Sequence, residues 1–182
     1  MSMLKVIVTS CLLSMLLIPQ TIMAANVPKA FTVSPQIGGY RFEGNQDGKL
    51  DAAFVYSIAV GYNYNQNIGV EAGYSYVATE NEREKSNNFN TGRLDLLYHL
   101  VPENTLVPFI IGGVGLTRAS INNDDDIILE YGVGLKYFIT DTIALRTEVK
   151  HIFDINNNDD HSGQNYYNNL AYTVGMTFHI KQ

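Results

Sequence analysis

The sequence predicts an all-β fold: eight antiparallel strands closed up and down into a transmembrane β-barrel. Three observations carry that expectation. Beyond the first two dozen residues no stretch keeps helical spacing, while 12 Tyr, 15 Gly and many β-branched residues are spread along the chain. Eight segments alternate large apolar with small or polar residues at the two-residue period of a strand. The connections between these segments alternate between long and brief, as in a barrel with two unlike ends.

The chain opens MSMLKVIVTSCLLSMLLIPQTIMAAN, with one Lys at position 5, a mostly apolar run from Val6 to Ile18, and Ile22-Met23-Ala24. That is the pattern of a secretory signal peptide cut after Ala24. The expected division is therefore a signal peptide over 1–24 and a barrel domain over 25–182. Ser10, Ser14, Pro19 and Gln20 leave fewer than the ~20 apolar residues that a helical span needs. Val8-Thr9-Ser10-Cys11 looks like a lipoprotein box, but too little apolar sequence precedes it and too much follows. Cleavage leaves 158 residues without cysteine, because Cys11 departs with the leader, so disulfides and thiol chemistry are excluded. Net charge is −6, or −7 without Lys5, and no basic cluster occurs. Nucleic acid is thereby disfavoured as a partner. No Pro- or Ser-rich linker and no long repeat divides the chain, which reads as one domain.

Taken in order, the first strand is expected over 30–42. The second (52–63) and third (68–78) share the stretch FVYSIAVGYNYNQNIGVEAGYSYVA. There Phe54, Tyr56, Ile58, Val60 and Tyr62 fall on one parity, and Ala53, Val55, Ser57, Ala59 and Gly61 on the other. After the turn YNQN, Ile68, Val70, Tyr74 and Tyr76 oppose Gly69, Glu71, Gly73 and Ser75. The fourth strand (90–101) carries Leu94, Leu96, Tyr98 and Leu100 on its apolar parity. The fifth (106–118), LVPFIIGGVGLTR, is apolar on both, so its facing stays open. The sixth (127–139), seventh (143–153) and eighth (169–180) repeat the pattern, with Tyr131 and Val133, Leu145 and Val149, and Tyr172 and Val174 on the apolar side. These lengths reach the roughly 9–11 residues of a membrane-crossing strand, whereas soluble strands have a mode near 5–6.

The odd connections, EGNQDGKLD, TENEREKSNNF, SINNDDD and DINNNDDHSGQNYYNN, are long and polar. The even ones, YNQN, PENT and TDT, are brief. In a barrel of this kind the short turns face the periplasm, which puts both termini there.

Opposite the apolar parity stand Glu71, Arg93, Asp95, Glu130, Lys136, Arg146, Glu148 and Lys150, four acids and four bases among Gly, Ala, Ser and Thr. Turned outward, the large residues meet lipid and the narrow lumen takes small residues plus a lumen ion-pair network. The charge balance matters because an unpaired buried charge costs several kcal/mol. A closed barrel also satisfies every backbone group, which an open sheet in lipid cannot do.

Four histidines test for hidden chemistry: His99, His151, His161 and His179. A lipid-modifying enzyme needs a Ser and a His together near the outer rim, and the candidates are His151 or the pair His161-Ser162. His151 falls on the lipid-facing parity and is followed two residues on by Phe153, so an interfacial side chain is expected. Asp154, Asn156, Asn158 and Asp160 have the spacing of calcium-loop ligands but lack the required Gly and closing Glu. With the neighbouring Asp124, Asp125 and Asp126 they are expected to form a solvated rim. No metal and no cofactor is expected. Tyr40, Tyr64, Tyr76 and Tyr137, near strand ends, are expected in an interfacial girdle.

Several segments together carry a family likeness: GYNYNQNIGVEAGYSYV, LVPFIIGGVGL, EYGVGLKYFITDTIALRTEVKHIFD and NNLAYTVGMTFHI. On these the chain resembles the outer membrane protein A-like (OmpA-like) β-barrel domain family over nearly all of residues 30–182. The resemblance implies a cell outer membrane location, outer membrane lipids as surroundings and the barrel assembly machinery as a partner. Thr173, Gly175, Phe178 and Ile180 look like the assembly signal that machinery reads, although His179, Ile180, Lys181 and Gln182 follow Phe178 where many relatives end in Phe. The peptidoglycan-binding domain of full-length relatives is not expected here. The expected role is structural, adhesive or surface-interacting, without catalysis. A membrane-embedded enzyme of the lipid A deacylase kind is the first rival, and a soluble periplasmic carrier of lipocalin type the second. Eight strands leave interior width for side chains or one small ligand, so open-pore transport is not expected.

Overall fold

Eight strands form: β1 (Ala30–Phe42), β2 (Ala52–Asn63), β3 (Ile68–Ala78), β4 (Asn88–His99), β5 (Leu106–Ala119), β6 (Asp125–Phe138), β7 (Ile143–Ile155) and β8 (Tyr167–Lys181). The computed structural model describes residues 25–42, 52–78, 88–119, 125–155 and 167–181. The expected signal peptide and most of the four long connections lie outside them. Each strand pairs antiparallel with its sequence neighbour and β1 pairs with β8, so the sheet closes into a barrel in chain order. Closure leaves no strand edge with unpaired N–H and C=O groups, the condition for a sheet to sit in lipid.

Local chemistry sets the brief turns. Asn65 Oδ1 accepts from the backbone N–H of Asn67 (2.8 Å) and Ile68 (2.7 Å), an Asx turn that reverses the chain between β2 and β3. Thr140 Oγ1 does the same for Thr142 (3.3 Å) and Ile143 (3.0 Å) between β6 and β7. β4 ends at His99, two residues short of expectation, because the chain turns at Val101-Pro102 and the N–H of Asn104 closes back onto the Val101 carbonyl at 3.3 Å. Proline has no N–H to continue a ladder. At the seam, the β1–β8 pairing passes from Val33↔Phe178 to Gln36↔Gly175. Pro35 has no donor to offer there, and the side chains of Ser34 and Thr177 bridge the gap at 3.0 Å.

The parities sort by size in the expected sense. Ala53, Val55, Ser57, Ala59 and Asn63 of β2 point into the barrel, while Phe54 is 72% exposed and Tyr56 54% exposed on its outer face. Leu94 and Leu96, Tyr131 and Val133, and Tyr172 and Val174 are likewise outward. A lipocalin-type carrier would bury this apolar parity, and that alternative is overturned. β5, open on sequence grounds, turns Val107, Phe109 and Ile111 inward and Ile110, Val114 and Leu116 outward.

Candidate functional site

The interior is built in tiers. Nearest the short turns, Arg146 of β7 is 1% exposed and grips Glu71 of β3 with two parallel bonds, Nη1–Oε1 and Nη2–Oε2, each 2.8 Å. This fork-to-fork arrangement is the strong geometry for a guanidinium and a carboxylate. The same guanidinium donates to Glu148 through Nε and to Ser34 Oγ at 3.1 Å, and its plane lies 5.1 Å over the Phe109 ring. Lys136 of β6 completes the tier, with Nζ 3.0 Å from His99 Nε2. With Lys136 donating, the His99 proton sits on Nδ1, where the Asn67 carbonyl accepts it at 3.2 Å.

The second tier lies further toward the long connections. Arg93 Nε is 2.9 Å from Asp95 Oδ2 and 3.4 Å from Glu130 Oε1, and Lys150 Nζ donates to that same Glu130 oxygen at 2.9 Å. The remaining Arg93 donors reach Ser75 Oγ and Ser57 Oγ, the latter at 3.1 Å. Each tier therefore holds two acids and two bases and is neutral by itself. Such balance is what burial of eight charges requires, since an uncompensated one costs several kcal/mol. Glycines make the room: Gly73 lies beneath the Arg93 guanidinium, and Gly134 beneath the Phe109 ring.

Apolar side chains close the charged zone at both ends. Toward the long connections Ala53, Val55 and Val77 cluster on one wall and Ile128, Ile152 and Ala171 on another, with Tyr40 packed against both. Tyr40 was expected in the outer girdle. It lies on the inward parity of β1 and bridges the lumen instead, because β1 pairs with its neighbours in the register that points Ser34 and Gln36 inward too. Toward the short turns lie Val107, Phe138 and Ala144, while Leu97, Phe109 and Ile111 pack at the level of the lower tier itself.

The segment before β1 folds under this end. Asn26 is fully buried: its amide donates to the Gln66 carbonyl at 2.6 Å, its oxygen accepts from Asn63 Nδ2 at 3.2 Å, and its backbone N–H reaches the Pro102 carbonyl at 2.7 Å. Between the tiers and the upper apolar layer lies a cavity of about 20 Å3 bordered by Gln36, Ser57, Glu130 and Lys150. That is room for about one or two waters, not for a solute.

All eight charged residues singled out in the sequence thus point inward. Their helpers were not anticipated: Asn26, Ser34, Ser57, Ser75 and the inward Phe109. Position on the small-residue parity was the available signal for the serines. Phe109 gave none, because β5 is apolar on both parities. Thr173 and Gly175 of the expected assembly signal point inward, and Phe178 and Ile180 outward. His151 stands on the outer wall, its ring 4.3 Å from Phe153 and 5.5 Å from Tyr131. His161, Ser162, Asp124, Asn156, Asn158 and Asp160 lie outside the described residues, and Asp125 and Asp154 are described in backbone alone. Among the described residues no three His, Asp, Glu or Cys side chains are placed to hold a metal ion.

Comparisons agree with the architecture. A family model described as outer membrane protein beta-barrel domain matches residues 10–179. Neisserial surface protein A (NspA) has a similar structure at 15% identity, with a TM-score of 0.68 over 81% of this chain and 96% of that one. Ail, the attachment invasion locus protein of Yersinia pestis, is similar at 14% identity and a TM-score of 0.52, covering 85% of this chain and 100% of that one. The outer membrane enzyme PagL is similar at 16% identity and a TM-score of 0.51, covering 81% of this chain and 98% of that one. At these identities the likeness is one of fold. No curated protein matches the chain in sequence.

Proposed function

The chain belongs to the family of outer membrane protein β-barrel domains, and on that footing we propose a structural and adhesive role, without catalysis, carried by its long connections. The observation behind this reading is the filled lumen. Among the described residues, two neutral ion-pair tiers stand between apolar layers, and the cavity above them, of about 20 Å3, is too small for a substrate. A barrel so plugged offers partners its ends and outer wall alone. The strand ends that the connections 43–51, 79–87, 120–124 and 156–166 join all lie at one end of the barrel, opposite Ala30 of β1 and Lys181 of β8. We take that end as external and the termini as periplasmic, with residues 1–24 as the removed leader and 25–182 as the barrel domain. Thr173, Gly175, Phe178 and Ile180 of the closing strand would then present the signal to the barrel assembly machinery.

Because this fold also serves an outer membrane enzyme, catalysis is tested directly. Cells displaying the protein should adhere to matrix-coated wells or to one another. Replacing 79–87 and 156–166 by short Gly-Ser turns should abolish this while the folded band persists on unheated gels. Adherence indifferent to both replacements would reject the adhesive reading, and loss of an acyl chain from lipid A incubated with the pure barrel would establish the enzymatic one.

A further inference from the structure

At the short-turn end the lumen is covered in two halves by different means. Over β5, β6 and β7 the cover is apolar, with Val107, Phe138 and Ala144 packed together. Over the other half lies the segment before β1. It leaves Ala30 and crosses to two of the short turns, since Asn26 bonds the Gln66 carbonyl in one and the Pro102 carbonyl in the other. Asn26 is buried, Val27 is half-buried, and Pro28 and Lys29 are exposed.

The hold on this segment is polar. Asn63 Nδ2 donates to Asn26 Oδ1 at 3.2 Å and to the Val27 carbonyl at 2.9 Å, and the N–H of Lys29 donates to the Asn63 carbonyl at 2.7 Å. Hydrogen bonds that water can replace, with little apolar burial beside them, mark the parts of a fold that open most readily. The backbone points the same way. Lys29 has φ 54°, in the left-handed region that a residue with a Cβ enters only at a cost, and among the described residues it alone, glycines apart, does so. Pro28 fixes its own φ and holds Val27 extended. The segment is therefore a stiff arm, with rotation concentrated at Lys29.

Beneath the arm lies the lower tier. The Asn26 amide nitrogen stands 3.2 Å from His99 Nδ1, and the other ring nitrogen meets Lys136. Because the Nδ1 proton goes to the Asn67 carbonyl, the contact with Asn26 adds no bond to hold the arm. Thr32, 1% exposed and one inward step above Ala30, lies with the Glu71 side chain against Gly61.

We propose that residues 25–28 are a hinged strap that gates the lumen at this end. Closed, Asn26 is a peg that keeps water from Thr32, His99 and the lower tier. Open, by rotation about Lys29, the strap relieves the left-handed backbone and admits water to the His99–Lys136 pair, while the second tier and the upper apolar layer stay shut.

The test uses a single thiol as reporter, since the chain has no cysteine from residue 25 onward. Thr32→Cys stands under the strap, and Ala53→Cys in the upper apolar layer is the control. Each is exposed in detergent micelles to methanethiosulfonate ethylammonium, a small water-soluble reagent, and labelling is timed by mass spectrometry. The rate at Thr32→Cys should follow the open fraction. Asn26→Ala should raise it at least about tenfold, the scale of the side-chain bonds lost. Lys29→Val, whose branched Cβ suits the left-handed region worse, should raise it about threefold, and Lys29→Gly, which enters that region freely, should lower it about threefold. Labelling of Ala53→Cys should be indifferent to all three changes. A Thr32→Cys rate unmoved by Asn26→Ala would overturn the strap, one unmoved by both Lys29 changes would overturn the hinge, and parallel changes at Ala53→Cys would overturn a gate at this end by showing that the whole barrel loosens. The folded band on unheated gels reads the barrel separately.

Discussion

Replacing Arg146 by alanine should destabilise the barrel by about 3–5 kcal/mol, the cost of leaving a buried carboxylate without its partner. The structure makes the loss concrete. Both hydrogen bonds described for Glu71 come from Arg146, Glu148 loses its Nε donor, and the Phe109 ring loses one of the two cations over it, keeping Lys136. The lower tier passes from two acids and two bases to two acids facing Lys136 alone. About 4 kcal/mol corresponds to a factor near 10^3 in the folding equilibrium. The double variant Glu71→Met/Arg146→Met removes the pair together and leaves Glu148 with Lys136, so the tier is again neutral. It should recover at least about 0.5–3 kcal/mol relative to the sum of the single changes. Lys85→Ala, in the connection between β3 and β4, is the control and should stay within about 0.5 kcal/mol. The chain has no Trp, so urea unfolding in lipid vesicles is followed by circular dichroism and by the folded and unfolded bands on unheated gels. A cost for Arg146→Ala below about 1 kcal/mol, or a double variant that loses the full sum, would refute the reasoning.

Three further outcomes follow from the geometry. Val133→Arg on the outer wall should cost about 2–4 kcal/mol, and single cysteines at 133 or 174 should react with lipid-soluble but not water-soluble maleimides; ready labelling of both by the water-soluble reagent would count against a lipid-facing wall. Gly113→Ala sets a methyl group against the Leu94 carbonyl and the Asp95 carboxylate, so a loss of about 1–3 kcal/mol is expected from overpacking, and unchanged urea stability would contradict that close approach. Asn26→Ala removes the amide that ties the segment before β1 to Gln66 and Asn63; trypsin should then cut faster after the exposed Lys29, and an unaltered cleavage rate would show that Asn26 does not hold that segment in place.

The sequence by itself determined the eight strands, the inward and outward parities of all but β1 and β5, and the alternation of long and short connections. All three are local: the two-residue period of Phe54 to Val60 or Leu129 to Val133 is written in adjacent residues, and the Asx turn at Asn65 needs only its own side chain. It also placed eight balanced charges on the small-residue parity. Which acid meets which base was decided by the closed barrel. Glu71 and Arg146 stand 75 positions apart on β3 and β7, and nothing short of register and closure brings them across the lumen. The facing of β5, apolar on both parities, was settled by its ladders with β4 and β6, which turn Phe109 inward beneath Arg146. Tyr40 illustrates the same limit, since a tyrosine near a strand end suits a girdle or a lumen equally until pairing with β2 and β8 fixes its side. The Tyr172 ring likewise comes to lie over Gly39 only because β8 pairs with β1. Surface relief is a property of neighbouring strands, and neighbours are chosen by the fold.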